Sequence, residues 1–354
     1  AVRADPGQPA RVRGRLMRAS TARLMNTPIR LTDLAFPQVS RLIERTRLAF
    51  IHLDNVLAFA KRDRDGRVDG YLTAYLPEEV VFVFLRKGEA VNAATIRTTG
   101  REVITITEAL RRMRTEVERG ELTYCTAPLE QLAWMYRSCA AELEPRFIDT
   151  AQPEGLFPSM QQERVTGVLE LITNGRVSYL RIEDGRFIRG YFYDKPADQP
   201  VPRYVESLFR RGPDGELPLM SAAVFPAMDD LPAQASAALV ATYRELYWRV
   251  VDGVEREFPG DGRRRADAAR AGLEGAHPAL RLLSLARAAE IPDAVVQPDD
   301  LVAALSEWVR IYLEPIEVMM PGTALKVIQV ATWEHRYVLQ AAGFYRRVPW
   351  PVKW

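Results

Sequence analysis

Residues 67–72 read Arg67-Val68-Asp69-Gly70-Tyr71-Leu72, and the pattern returns 97 residues later as Arg164-Val165-Thr166-Gly167-Val168-Leu169. The same offset carries Leu85 onto Ile182, Gly88 onto Gly185 and Val91 onto Ile188 without an insertion. Further on, Gly120-Glu121-Leu122 corresponds to Gly215-Glu216-Leu217, and Pro128 to Pro226, after a short deletion. Matches in order at a fixed offset mark an internal repeat. The spacing predicts a duplicated module of about 60–100 residues, an ordinary domain size.

Each copy reads as a three-stranded meander. Residues 70–76 are rich in strand formers, and Pro77-Glu78-Glu79 turns the chain into a second strand at 80–86. In the second copy Asn174-Gly175 holds that turn and the second strand is 177–183; Asn-Gly between apolar runs is a strong hairpin signal. Arg86-Lys87-Gly88 and Glu183-Asp184-Gly185 then lead into third strands at 89–97 and 186–193. A helix at Val103–Glu118 and a last strand at 121–126 close the first copy; a helix near 200–210 and a strand near 216–222 close the second. An amphipathic helix is expected over Leu34–Ala60 ahead of the first copy, and another at 129–143 followed by a loose stretch at 145–163 ahead of the second.

From residue 229 the pattern becomes helical throughout, with helices expected at 231–258, 266–274, 277–290, 298–313 and 322–342. The fold class is therefore α+β: two tandem repeats of a β-meander plus helix plus strand, then an all-helical C-terminal domain. The expected divisions are a disordered basic tail at 1–24, modules at 25–128 and 129–228, and the helical domain at 229–354.

Gly70, Leu72, Gly88, Val91, Ala93, Gly120 and Leu122 in the first copy resemble the PATAN-type domain, as do Gly167, Leu169, Gly185, Ile188, Gly190, Gly215 and Leu217 in the second. The resemblance covers about residues 67–226. It implies a regulatory interaction module of bacterial signalling proteins, a family to which no catalytic residues are attributed. The chain departs from that family in having no receiver-domain phosphoacceptor pattern.

The search for chemistry points the same way. His52, His277 and His335 lie in separate segments without metal-ligand spacing, and no phosphate-binding loop or nucleophile-elbow motif occurs. No catalytic residue, metal site or cofactor is expected. The 48 basic residues include only five Lys, the rest being Arg, yet 46 acidic residues bring the net charge to +2. That balance gives no global field for polyanions, and the Arg excess fits the codon bias of a GC-rich genome. The two Cys and the absence of a 20-residue apolar run fit a cytoplasmic protein without a membrane span.

The densest basic clusters are Arg111-Arg112-Met113-Arg114, on a helix, and Arg263-Arg264-Arg265, in a Gly-flanked loop; Arg41 and Arg45 share an R-x-x-x-R spacing on the first helix. The aromatic C-terminus, with Arg347, Trp350 and Trp354, either packs on the helical domain or anchors a partner. The candidate partner-binding residues are thus Arg263, Arg264, Arg265, Arg347, Trp350 and Trp354. The functional expectation is a non-enzymatic bacterial regulatory or scaffolding protein that binds another protein. The alternatives are a nucleotide- or nucleic-acid-binding protein using the Arg clusters, and an enzyme with a site at the domain interface.

Overall fold

A computed structural model gives the structure of the chain and describes residues 30–62, 68–141, 143–146, 155–216, 218–283 and 295–352. The expected tail at 1–24, Leu217 and Trp354 lie outside the described residues. The fold is mixed α+β, with two antiparallel sheets and a helical C-terminal region. The chain divides into two compact units, Ala1–Leu231 and Pro232–Trp354.

In the first unit, β1 (Ser40–Arg47), β2 (Gly70–Tyr75), β3 (Glu79–Arg86), β4 (Glu89–Arg97), β5 (Gly100–Ile104) and β6 (Glu121–Thr126) form one sheet in the order β1-β6-β2-β3-β4-β5. The second sheet contains β7 (Glu144–Arg146), β8 (Gly167–Thr173), β9 (Arg176–Glu183), β10 (Arg186–Phe192) and β11 (Met220–Phe225), in the order β10-β9-β8-β11-β7. The orders correspond strand for strand, β1 with β7, β6 with β11, β2 with β8, β3 with β9 and β4 with β10. Only β5 lacks a counterpart among the described residues.

The local geometry corresponds as well. Gly88 donates its amide to Val68 O and Gly185 donates to Val165 O, both at 2.8 Å. The Lys87 amide donates to Asp69 Oδ1 at 2.6 Å, and the Asp184 amide to Thr166 Oγ1 at 3.0 Å. The turns Lys87-Gly88, Asn174-Gly175 and Asp184-Gly185 all have positive φ at both positions, the two-residue geometry whose twist matches a right-handed hairpin. Val91 is an extra residue in β4 against β3, and Ile188 is an extra residue in β10 against β9.

Three layers of core explain why these strands read as unbroken apolar runs. Every residue of β2 and β8 is buried, so apolar side chains are needed on both faces. One face of the first sheet is covered by α1 (Leu53–Arg62) and α2 (Ile106–Thr115), which pack on Leu72, Val81, Val83 and Leu85. The corresponding face of the second sheet packs on α4 (Leu156–Gln162) and on α5 (Val201–Leu208) through Leu169, Leu171, Leu180 and Ile182. The other faces meet in a shared core that also takes in α3 (Leu129–Ala140), where Tyr71, Phe82, Trp134, Val168, Ile172 and Tyr179 pack together. Arg101 of β5 pairs with Glu170 of β8 inside this region.

The structure corrects several sequence expectations. Leu34–Ala60 is not one amphipathic helix: β1 occupies 40–47, a 3-10 turn follows at Leu48–Phe50, and the α-helix α1 starts only at Leu53. The apolar spacing of Leu42, Ile43 and Leu48 fits a helix on paper, but β1 finds backbone partners along β6, and tertiary pairing overrides the local pattern. For the same reason Val103 and Ile104 are strand, paired with Ala94 and Ala93, and α2 starts only after Thr105 caps it by accepting from the Glu108 amide. The strand expected at 216–222 is β11, at 220–225; Gly215 sits in the loop before it with positive φ. Opposite β2 and β8 the ladders align Cys125 with Phe225, so Gly120 corresponds to Met220 and not to Gly215. The stretch expected to be loose contains β7 and α4.

In the helical unit the described helices are α6 (Ala237–Glu257), α7 (Gly262–Leu273), α8 (Pro298–Met319), α9 (Thr323–Thr332) and α10 (Arg336–Ala341). The first begins at 237, not 231, where the Ser236 side chain accepts from the Leu239 amide. Residues 322–342 form two helices broken at Trp333–His335. Tyr243, Leu246, Trp308, Val309, Ile328 and Phe344 form the core. Trp308 Nε1 donates to Ala266 O at 3.1 Å and the Tyr312 hydroxyl to Gly262 O at 3.0 Å, fixing α7 against α8. Of the helix expected at 277–290, residues 278–282 form a 3-10 turn, and 284–290 lie outside the described residues.

Candidate functional site

Five of the six candidate partner-binding residues lie among the described residues, Arg263, Arg264 and Arg265 on α7 and Arg347 and Trp350 in the C-terminal segment. Arg263, Arg264 and Arg265 are not in a loop; they form the first turn of α7. Asp261 precedes that turn and accepts from Arg264 at 2.5 Å and Arg265 at 2.5 Å, while Glu255 Oε2 takes the Arg263 amide at 3.2 Å. Two of the three guanidinium groups are thus paired with Asp261, which lowers the cluster's appeal to a phosphate. Arg111, Arg112 and Arg114 are paired likewise, with Glu108, Glu79 and Asp54. Arg41 and Arg45 lie on the edge strand β1, not on a helix. Arg41 pairs with Glu44, and Arg45 pairs with Glu121 and stacks 4.1 Å from the Tyr75 ring centre.

In the C-terminal segment Phe344 and Val348 are buried, and Trp350 is half-buried against the helical core, whereas Arg347 is exposed. Trp350 therefore belongs to intramolecular packing. Trp354 lies outside the described residues.

The helical unit brings other residues together. A groove of about 810 Å³ runs between α6 and α9. Gly253 lets the two helices approach, since a Cβ there would meet Val327 Cγ1 at 3.1 Å. Trp248, Val327 and Ala331 give the groove an apolar floor, with Val330 at its edge. Part of its charged rim is paired, with Arg249 to Glu245 at 2.6 Å, Arg249 to Glu334, and Lys326 to Glu257 at 2.8 Å. Glu245 is also 2.9 Å from His335 Nε2, so His335 is a half-buried hydrogen-bond partner of Glu245 at the start of α10. The His335 contact and the Arg249 pair hold the Glu245 carboxyl below its ordinary range. Glu245, Glu334 and His335 place three ligand-type atoms within 4.8 Å of one another. The Arg249 guanidinium already bridges both carboxylates, so a divalent cation would have to displace it; the cluster works as an ion network that clamps α6 to the α9–α10 corner.

Beside the groove stands an exposed ridge. Val330 is 63% exposed, Trp333 54%, Tyr337 71% and Val338 45%. Arg336 lies between the two rings, its guanidinium carbon 4.4 Å from the Trp333 centroid and 4.5 Å from that of Tyr337. Its Nη1 donates to Trp333 O at 2.8 Å. Two cation–π contacts and a backbone hydrogen bond hold the side chain in one place at the surface. Among the described residues it has no carboxylate partner. Trp, Tyr and Arg are the residue types that dominate binding energy at protein interfaces. The buried side of this segment is Val327, Ile328, Ala331, Thr332 and Leu339. The signal missed in the sequence was a second set of large side chains, Trp333 at the end of α9 and Tyr337 on α10, at positions other than those core ones.

Neither a protein-family model nor a curated protein matches the chain. Among the described residues no helix is long and apolar enough to cross a membrane.

Proposed function

We propose that this chain is a non-enzymatic bacterial regulatory or scaffolding protein that binds a protein partner through the Trp333–Arg336–Tyr337 ridge. The observation that carries the reading is the ridge itself, large apolar side chains exposed around an arginine that is already immobilised, so little side-chain entropy is lost on contact. We read the first unit as a duplicated PATAN-type module. The matched strand orders, the shared Gly88 and Gly185 turns and the shared extra residue at Val91 and Ile188 support that reading. Two buried thiols, Cys125 and Cys139, support a cytoplasmic setting. The pairing of the Arg clusters with their own carboxylates argues against the nucleic-acid alternative.

The test is affinity capture from native cell extract at physiological salt, wild type beside Trp333→Ala/Tyr337→Ala. A protein retained by the wild type and lost from the double variant, with thermal stability unchanged, is the expected result. Identical captured sets, or no specific capture, would overturn the reading.

A further inference from the structure

In the first sheet β5 pairs with β4 across Ala93–Arg97 and closes that edge. The positions 97 residues on are Gly190–Asp194, at the end of β10 and just past it, and there the second sheet has no further strand among the described residues. The two edges are built alike up to this point, with the extra residue of Val91 repeated at Ile188. Just past the end of β10, this side of β9 already takes an extended segment. Ala35 donates its amide to Gly175 O at 2.9 Å and accepts from the Val177 amide at 2.8 Å. Along β10 itself, Phe187 is 36% and Ile188 50% exposed. An open strand edge carrying exposed apolar side chains is a template for strand addition.

We propose that β10 accepts an extended, acid-bearing segment of a protein partner as an added antiparallel strand, in the lane that β5 fills in the first sheet. Charge complementarity selects this occupant. Arg186 and Arg189 flank the apolar pair; Arg189 is tied to Glu130 of α3, and Arg186 has no carboxylate partner among the described residues. A second copy paired antiparallel about the Phe187–Ile188 pair would set Arg186 against Arg189 of the other copy, where like charges repel, whereas a segment with Asp or Glu would meet them. Backbone pairing would supply affinity, and Phe187 and Ile188 would select apolar residues at alternate positions.

The proposal rests on the reading of the chain as a binding protein but uses a different surface. The full chain is panned against a phage-displayed library of random dodecapeptides. Enriched peptides should alternate apolar residues and carry Asp or Glu. Their binding should slow amide exchange at Gly190 and Phe192 by at least about ten-fold. Affinity should fall by about ten-fold or more in Phe187→Lys/Ile188→Lys and in Arg186→Glu. It should be unchanged in Trp333→Ala/Tyr337→Ala, which separates failure here from failure of the ridge. No enriched peptide, or peptides that leave exchange at residues 190–192 unchanged, would overturn the proposal. So would self-association of the wild type that Phe187→Lys/Ile188→Lys abolishes.

Discussion

Arg101 on β5 and Glu170 on β8 form a two-pronged ion pair between the sheets, Nη1 to Oε2 at 2.8 Å and Nη2 to Oε1 at 2.6 Å. The side chains are only 6% and 3% exposed. Burial opposes the charge on Arg101, yet the Glu170 carboxylate outweighs it and holds the guanidinium proton more tightly than usual. Removing one partner strands a buried charge. Arg101→Met or Glu170→Gln should therefore each cost about 3–5 kcal/mol, while the joint replacement Arg101→Met/Glu170→Met should recover most of that loss. Urea unfolding of the three variants checks this; single losses below about 1 kcal/mol would refute the pair's role.

Gly88 and Gly185 are held where only glycine fits. Both have positive φ, and a Cβ would lie 2.2 Å from Ala60 O at the first and 2.3 Å from Gln161 Cα at the second. Gly88→Ala and Gly185→Ala should each destabilise by about 2 kcal/mol or more. Gly272→Ala, on α7 with open space around it, should instead stabilise by about 0.5–1 kcal/mol. Thermal melts of the three variants should split in this order.

Glu79 gives a pH dependence with a definite sign. Burial raises its pKa, but Arg97, Thr95 and Arg112 donate to the carboxylate at 2.9, 2.9 and 2.8 Å and more than offset burial, so the net direction is down. A carboxyl depressed in the folded state contributes stability above its ordinary value near 4.5, and loses it as pH falls through the folded value. Glu79→Gln should lower the melting temperature at pH 7 and flatten its decline on acidification. Melting curves from pH 7 to pH 3 test this, and parallel declines in both proteins would contradict it.

Cys125 and Cys139 should be silent to thiol reagents in the native protein. Burial pushes the Cys139 thiol up to about 11 and raises that of Cys125, so little reactive thiolate is present at pH 8. Ellman's reagent should titrate neither until urea unfolds the first unit. Stoichiometric labelling of the folded chain would show that the core opens.

Phe344 is fully buried in the helical core. Phe344→Ala should cost the helical unit about 3–5 kcal/mol, whereas Arg347→Ala, at an exposed position, should leave its melting temperature unchanged. Equal effects would mean that this segment is not packed as described.

The meanders were legible because their turns carry their own chemistry: Asn174-Gly175 and Asp184-Gly185 favour positive φ at both positions, and Gly88 supplies it at one. The edge strand β1 was not, since Leu42 and Ile43 give a mixed period and only pairing with β6 decides it. Arg263–Arg265 looked like an open basic patch because a sequence does not show that Asp261 turns back onto two of them. The Trp333–Tyr337 ridge was hidden because an apolar residue at helical spacing reads as core unless the other face of the helix is already filled.

Trp134 of α3 has no exposed surface, and it packs both with residues of the first sheet and with Tyr191 of the second, at 5.1 Å between rings. With α3 wedged into a core both sheets share, a truncation at residue 128 would leave Tyr71, Phe82 and Phe84 facing water. Neither half can be discarded or transplanted alone, and gene fragments meant to fold should be cut between Leu231 and Pro232.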